Sequence, residues 1–183
     1  MTSVIKVDNI QNSTGTAALS IDSSGRVTMA NSVFMTRFYL ASHHTTNAVV
    51  TGWTGTNHSA EIMSIGTAVT HSSGNFTFPI TGIWRVILQG RINSPGNDTT
   101  TAVYINITTD NSTYTRMMYA GAGDVDSGTL GFFIQNYINV DNVANVKAQI
   151  EVGSIANGSY LMGQSTGPIS PTQIVFERIT DSQ

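Results

Sequence analysis

The side chains able to do chemistry are few and poorly grouped: four histidines, eleven carboxylates and no cysteine in 183 residues. His43 and His44 are adjacent, so on a strand their rings point to opposite faces and cannot share one ion. His58 and His71 fall in polar stretches, and neither a His-x-His pair nor a His-Glu-x-x-His motif is present. The histidines are expected as solvated loop residues, with no metal site. Asp124-Val125-Asp126, in the stretch 120–127, is the tightest carboxylate pair, and oxygen ligands of that kind suit Ca²⁺. It lacks the following glycine and acidic partner of a calcium loop, so an acidic turn is the expectation. Glu61, Glu151 and Glu177 are isolated in sequence and cannot be paired into a glycosidase dyad there, and no Gly-x-Ser-x-Gly elbow occurs. Neither catalysis nor a cofactor is expected.

The chain that would position such groups is weakly charged. Charged residues make up 10% of it, against about 25% in an ordinary globular protein, so its surface must be built from hydroxyls and amides. The eight Lys and Arg are scattered singly and the net charge is −3, which leaves no phosphate-neutralising patch and argues against nucleic acid as a partner. No run approaches the roughly 18 apolar residues of a membrane span, and the N-terminal residues show no basic region followed by an apolar one. Membrane insertion and secretion are therefore not expected. A cysteine-free chain fits folding in a reducing cytoplasm.

Residues 1–32 have their own character. Ser3–Val7 reads as a short strand, Asp8–Thr16 as a polar loop and Ala17–Ile21 as a second strand; Asp22-Ser23-Ser24-Gly25 then turns the chain into Arg26–Met29. Val4, Ile5, Val7, Ile10, Leu19, Ile21 and Val27 are too few to enclose a core of their own. They are expected to bury against the main domain, copies of the arm or other proteins, which makes this segment an attachment element.

From Val33 to Gln183 the chain is a succession of β segments. Val33–Ala41, Ala48–Trp53, Glu61–Ile65, Ala68–Val69, Thr100–Thr108, Thr113–Tyr119, Gly128–Val140, Val146–Val152, Ser159–Met162 and Gln173–Ile179 read as strands separated by Gly, Asn, Ser and Asp turns. The organising stretch is 74–88. Phe76 and Phe78 alternate with polar positions, Pro79 ends that strand, Thr81-Gly82 turns the chain, and Trp84, Val86 and Leu88 then share the inward parity of the next strand. No window sustains an apolar stripe at helical period. An all-β two-sheet sandwich of jelly-roll type is expected. Phe34, Phe38, Trp53, Phe76, Phe78, Trp84, Phe132 and Phe133 are expected mostly in its core, and the tyrosines at edges, subunit contacts or a glycan.

The spacing Gly74-x-Phe76-Thr77-x-Pro79-x-x-Gly82-x-Trp84-x-Val86 resembles the signature of the tumour-necrosis-factor/complement C1q-like superfamily, with Trp84 where that family usually has Tyr and Val86 where it usually has Phe. Val140–Val146 stands where the family has a loop before a long strand, without its usual Gly-Asp, and Val175–Ile179 resembles its closing strand. In the arm, Ile5–Gly15 followed by Ile21–Val27 resembles N-terminal segments of bacteriophage tail-fibre-like structural proteins. Together these resemblances imply a jelly roll that assembles as a homotrimer on a virion, attached through its arm to capsid or tail proteins as a fibre or decoration protein. A carbohydrate-binding module that recognises host surface glycan through a loop tyrosine or Trp53 is the alternative.

Overall fold

The computed structural model describes residues 9–11, 13–15, 17–21, 23–25, 27–29, 33–55, 63–96, 98, 100–121, 127–164 and 170–183. The chain divides into two units, Met1–Ser32 and Val33–Gln183.

The first unit holds an antiparallel meander of β1 (Asn9–Gln11), β2 (Ala17–Ile21) and β3 (Val27–Met29). The pairing of Asn9 with Ser20 and of Ile10 with Leu19 places a strand inside the stretch expected to be a polar loop. A single β-branched residue, Ile10, is flanked there by Asn9 and Gln11, so propensity alone does not reveal the pairing. The expected strand Ser3–Val7, and with it Val4, Ile5 and Val7, lies outside the described residues.

The second unit is a jelly-roll β-sandwich, with no helix among the described residues. Its first sheet runs β13 (Gly128–Val140), β10 (Gly82–Ser94), β16 (Gln173–Thr180), β4 (Met35–Leu40) and β6 (Trp53–Thr54). Two short strands join it, β15 (Tyr160–Leu161) beside β10 and β7 (Ser64–Ile65) beside β4. The second sheet runs β12 (Thr115–Gly121), β11 (Ala102–Thr108), β14 (Lys147–Gly153), β9 (Asn75–Thr77) and β8 (Thr70–Ser72), with β5 (Ala48–Val49) beside β14. Every pairing is antiparallel.

Two boundaries differ from expectation. The expected strand Ala48–Trp53 divides, because β5 pairs in one sheet and β6 in the other, with Gly52 between them. The expected strand Ala68–Val69 moves to Thr70–Ser72, where the chain can pair with β9 across a two-residue turn. Ser73 and Gly74 in that turn both have positive φ, 49° and 87°. That is the conformation of a type I′ hairpin, which glycine adopts without the clash a side chain would meet.

The core follows the alternation. Phe76, Trp84, Val86 and Leu88 are fully buried, and Phe78 nearly so. The Trp84 ring lies 5.3 Å from Phe78 and 6.3 Å from Phe34, and its indole N–H donates to the Ile80 carbonyl at 3.2 Å. Pro79 sits at the bend after β9, and Gly82 begins β10. Phe76 is the hub of a second aromatic group, with Phe176 at 4.9 Å, Phe38 at 5.2 Å and Trp53 at 5.9 Å. Burying this many large rings against strands of both sheets is what joins the sheets, since each ring removes of order 150–250 Å² from water.

Candidate interaction surfaces

The sequence-level candidates for chemistry are dispersed. His43 stacks on Tyr160 at 4.4 Å and accepts from the Gly163 amide at 3.1 Å, while His44 bridges to Leu161 in an isolated pairing. His71 is not a solvated loop residue: it lies in β8, half-buried, with its ring 4.8 Å from Phe76 and 6.1 Å from Phe38. Burial lowers the pKa of both His44 and His71 below 6.5. His58, Glu61, Asp124 and Asp126 fall outside the described residues. Among those described, no three His, Cys, Asp or Glu side chains are grouped to hold a metal.

Glu177 and Glu151 stand on different sheets, each held by an arginine across a strand pair. Arg85 Nε donates to Glu177 Oε2 at 2.8 Å, and Arg116 Nη2 donates to Glu151 Oε1 at 2.6 Å. Asp98 is a third anchored carboxylate, which sequence reasoning passed over. It is buried and accepts from Thr101 Oγ1 at 2.6 Å and from the amides of Ala156 at 2.9 Å and Thr100 at 3.1 Å, tying the loop after β10 to the loop after β14. Burial alone would raise its pKa, but hydrogen bonds from Thr101, the Ala156 amide, Ser159 and the Thr100 amide outweigh it and hold the carboxyl at about 2. The run of threonines that follows Asp98 was the available signal, since hydroxyls and amides close behind a carboxylate favour such a turn.

With no compact reactive cluster among the described residues, the outward faces of the two sheets are the surfaces on which this unit can act. The register gives the first sheet's outer face three rows: Tyr137, Arg85, Glu177, Met35 and Ile65; Gln135, Ile87, Val175 and Arg37; Phe133, Gln89, Gln173 and Tyr39. Phe133 and Tyr137 are 59% and 55% exposed, while Ile87, Val175 and Met35 lie half-buried between them. Phe132, of opposite parity, packs on the core, so the two adjacent phenylalanines serve separate surfaces. Where this face ends, β13 lies beside β12, the last strand of the other sheet. Met117, Met118 and Leu130 are all exposed along that seam. The register skips Met117, because Ile105 pairs with Met118 and Asn106 with Arg116, so a bulge at this outermost strand puts Met117 outside the ladder beside the exposed Met118.

The second sheet's outer face is different in kind. One row is Tyr119, Tyr104, Glu151 and Val49; the next is Arg116, Asn106, Gln149, Asn75 and Ser72; the third is Thr108, Lys147, Thr77 and Thr70. The Arg116 guanidinium lies 4.1 Å from the Tyr104 ring centroid, and Tyr104 and Tyr119 are 5.9 Å apart. Glu151 also accepts from Asn106 Nδ2 at 2.7 Å, and the hydrogen bond from Arg116 holds its pKa down against partial burial. Gln149 Nε2 donates to Asn75 Oδ1 at 2.9 Å, and Tyr114 donates to the same oxygen.

Of the arm positions expected to attach, Ile10 and Ile21 are exposed, and Leu19 and Val27 lie at paired positions of β2 and β3. Trp53 corrects an expectation: it cannot read a glycan, because it is buried and its indole N–H donates to the Val50 carbonyl at 3.1 Å.

No family model matches the chain, and no curated protein matches it. Its fold is similar to that of a solved structure of Eiger TNF from S. frugiperda, with a TM-score of 0.59 at 10% sequence identity, over 84% of this chain and 96% of that one. The fold is thus TNF-like.

Proposed function

We propose that this chain is a non-enzymatic structural protein that closes into a homotrimer of jelly rolls and is carried on a bacteriophage particle through its arm, as a fibre or a capsid decoration protein. The observation that carries the assembly is the presence of two distinct apolar surfaces on one unit: the outer face around Phe133 and Tyr137, and the open seam around Met117, Met118 and Leu130. Two separate patches on one unit suit a head-to-tail contact, and such contacts close into a ring when the rotation permits. The Arg85–Glu177 pair in the middle of the apolar rows fixes orientation more than it adds affinity. The TNF-like fold and the spacing from Gly74 to Val86 support the same geometry.

The virion location is supported by the arm's likeness to phage structural segments, by a hydroxyl- and amide-rich surface and by the exposure of Ile10 and Ile21. Val4, Ile5, Val7, Ile10, Leu19, Ile21 and Val27 are the contacts proposed for other virion proteins. Light scattering of the full chain tests the assembly. Three copies of the 19.5 kDa chain are expected, and the double substitution Phe133→Asp with Tyr137→Asp should return the mass toward one copy. A wild-type chain that stays monomeric at micromolar concentration refutes the trimer. Peptide mass spectrometry of purified particles tests the location, and absence of the chain there refutes it.

A further inference from the structure

We infer that the outer face of the second sheet is a saccharide-binding platform, centred on Tyr119, Arg116, Asn106 and Glu151, for a neutral sugar. This goes beyond the assembly proposed above, which uses the opposite sheet and the seam.

The two outer faces divide the labour of recognition by chemistry. The first sheet presents aliphatic groups between its aromatics, which suits a protein partner. The second has two tyrosines beside a row of arginine, amides and a hydroxyl, with aliphatic side chains confined to the far end of the aromatic row at Val49. A pyranose ring has an apolar side of C–H groups and a rim of hydroxyls that both donate and accept. Its recognition therefore calls for an exposed aromatic face next to planar hydrogen-bonding groups.

Each requirement is met by a named residue. Tyr119 is 67% exposed, so its ring is available for stacking. Tyr104 beside it is fixed: its ring passes over Gly153, where an added Cβ would come within 3.2 Å, and Arg116 stacks on it. Tyr104 is thus held in place before any ligand arrives, which reduces the ordering cost of binding on its side of the platform. Arg116 and Glu151 hydrogen-bond each other at neighbouring positions beside the tyrosines, and their mutual charge compensation leaves no unmatched charge to attract an anion.

Asn106 supplies an independent observation. It is only 4% exposed, and its Nδ2 is committed to Glu151, yet its Oδ1 is buried with no hydrogen-bond partner among the described residues. A buried acceptor left without a donor is costly. A sugar hydroxyl is a donor of the kind that would relieve it. Anionic sugars are disfavoured because the one arginine on this part of the face is already paired.

Ligand-observed saturation-transfer NMR on the full chain tests the inference. The probes are neutral oligomers of glucose, mannose, galactose and N-acetylglucosamine, with sialyllactose and galacturonate oligomers as anionic comparators. At least one neutral oligomer should bind, with a Kd of order millimolar for an open platform. Tyr119→Phe should keep that binding, and Tyr119→Ala should weaken it about tenfold or more while leaving the melting temperature unchanged, because the side chain is exposed. The Phe133→Asp, Tyr137→Asp chain should bind the same oligomer with unchanged affinity per chain even if its mass falls, so failure of the trimer is distinguishable from failure of this site. The inference is overturned if no neutral oligomer binds, if only anionic ones do, or if Tyr119→Ala binds as the wild type does.

Discussion

Replacing Asp98 with asparagine removes a carboxylate that ties two loops together without changing its size. The native carboxyl accepts from one hydroxyl and two amides at 2.6–3.1 Å in a buried position. Its pKa falls from 3.8 to about 2 on folding. A drop of nearly two units corresponds to about 2 kcal/mol of stability. Because the folded pKa lies below the unfolded one, that contribution is complete above the unfolded value and disappears as pH falls through 3.8 toward 2. The substituted amide can accept through one oxygen only, and its own hydrogens face the donors that the second carboxylate oxygen had satisfied. Urea unfolding of wild type and Asp98→Asn, at one fixed protein concentration, should show a gap of about 2 kcal/mol at pH 7 that narrows between pH about 4 and 2. Comparing the two chains cancels the titration of the other carboxylates. A gap that is absent at pH 7, or that stays constant down to pH 2, refutes the assignment of Asp98 as an ionised anchor.

Trp84→Ala should cost about 3–5 kcal/mol in urea unfolding, since it empties the space between Phe34 and Phe78 and leaves the Ile80 carbonyl without its donor. His71→Phe should raise the melting temperature relative to wild type more at pH 5 than at pH 7.5. The native imidazole has a pKa lowered by burial, so its contribution is complete above 6.5 and is lost as pH falls below that value. Gly74→Val should cost about 2 kcal/mol or more by chemical denaturation, because φ there is +87° and a Cβ would meet Val49 Cγ1.

Much of the core was legible because strand parity is a local property. The alternation Trp84, Val86, Leu88 became three fully buried side chains, and Gly128–Val140 is a strand over its whole expected length. The hairpin joining β11 to β12 was legible for the same reason: Asp110-Asn111-Ser112 is turn chemistry between two alternating segments, and Asn111 has φ of +58°. Short strands were misread where pairing, not composition, defines them, as at Asn9–Gln11 and Thr70–Ser72. His71 was misjudged because Thr70, Ser72 and Ser73 look like a loop around it, while its strand parity turns it onto Phe76. Trp53 is buried as its aromatic character leads one to expect, and only its pairing with Leu40 shows that it leaves no ring exposed for a glycan.

The sequence by itself determined the alternation that makes this chain all-β, the inward residues of the long strands, and the absence of a thiol or a concentrated basic patch. These depend on residues two apart or on totals, and no fold is needed to read them. Tertiary structure alone decided which outward residues meet. Tyr104, Arg116 and Glu151 come from three strands, up to 47 positions apart in chain numbering, and converge because antiparallel register sets β12 and β14 on either side of β11. Parity says which side of a strand a residue takes, whereas register, fixed by turns and bulges elsewhere, says whose neighbour it becomes.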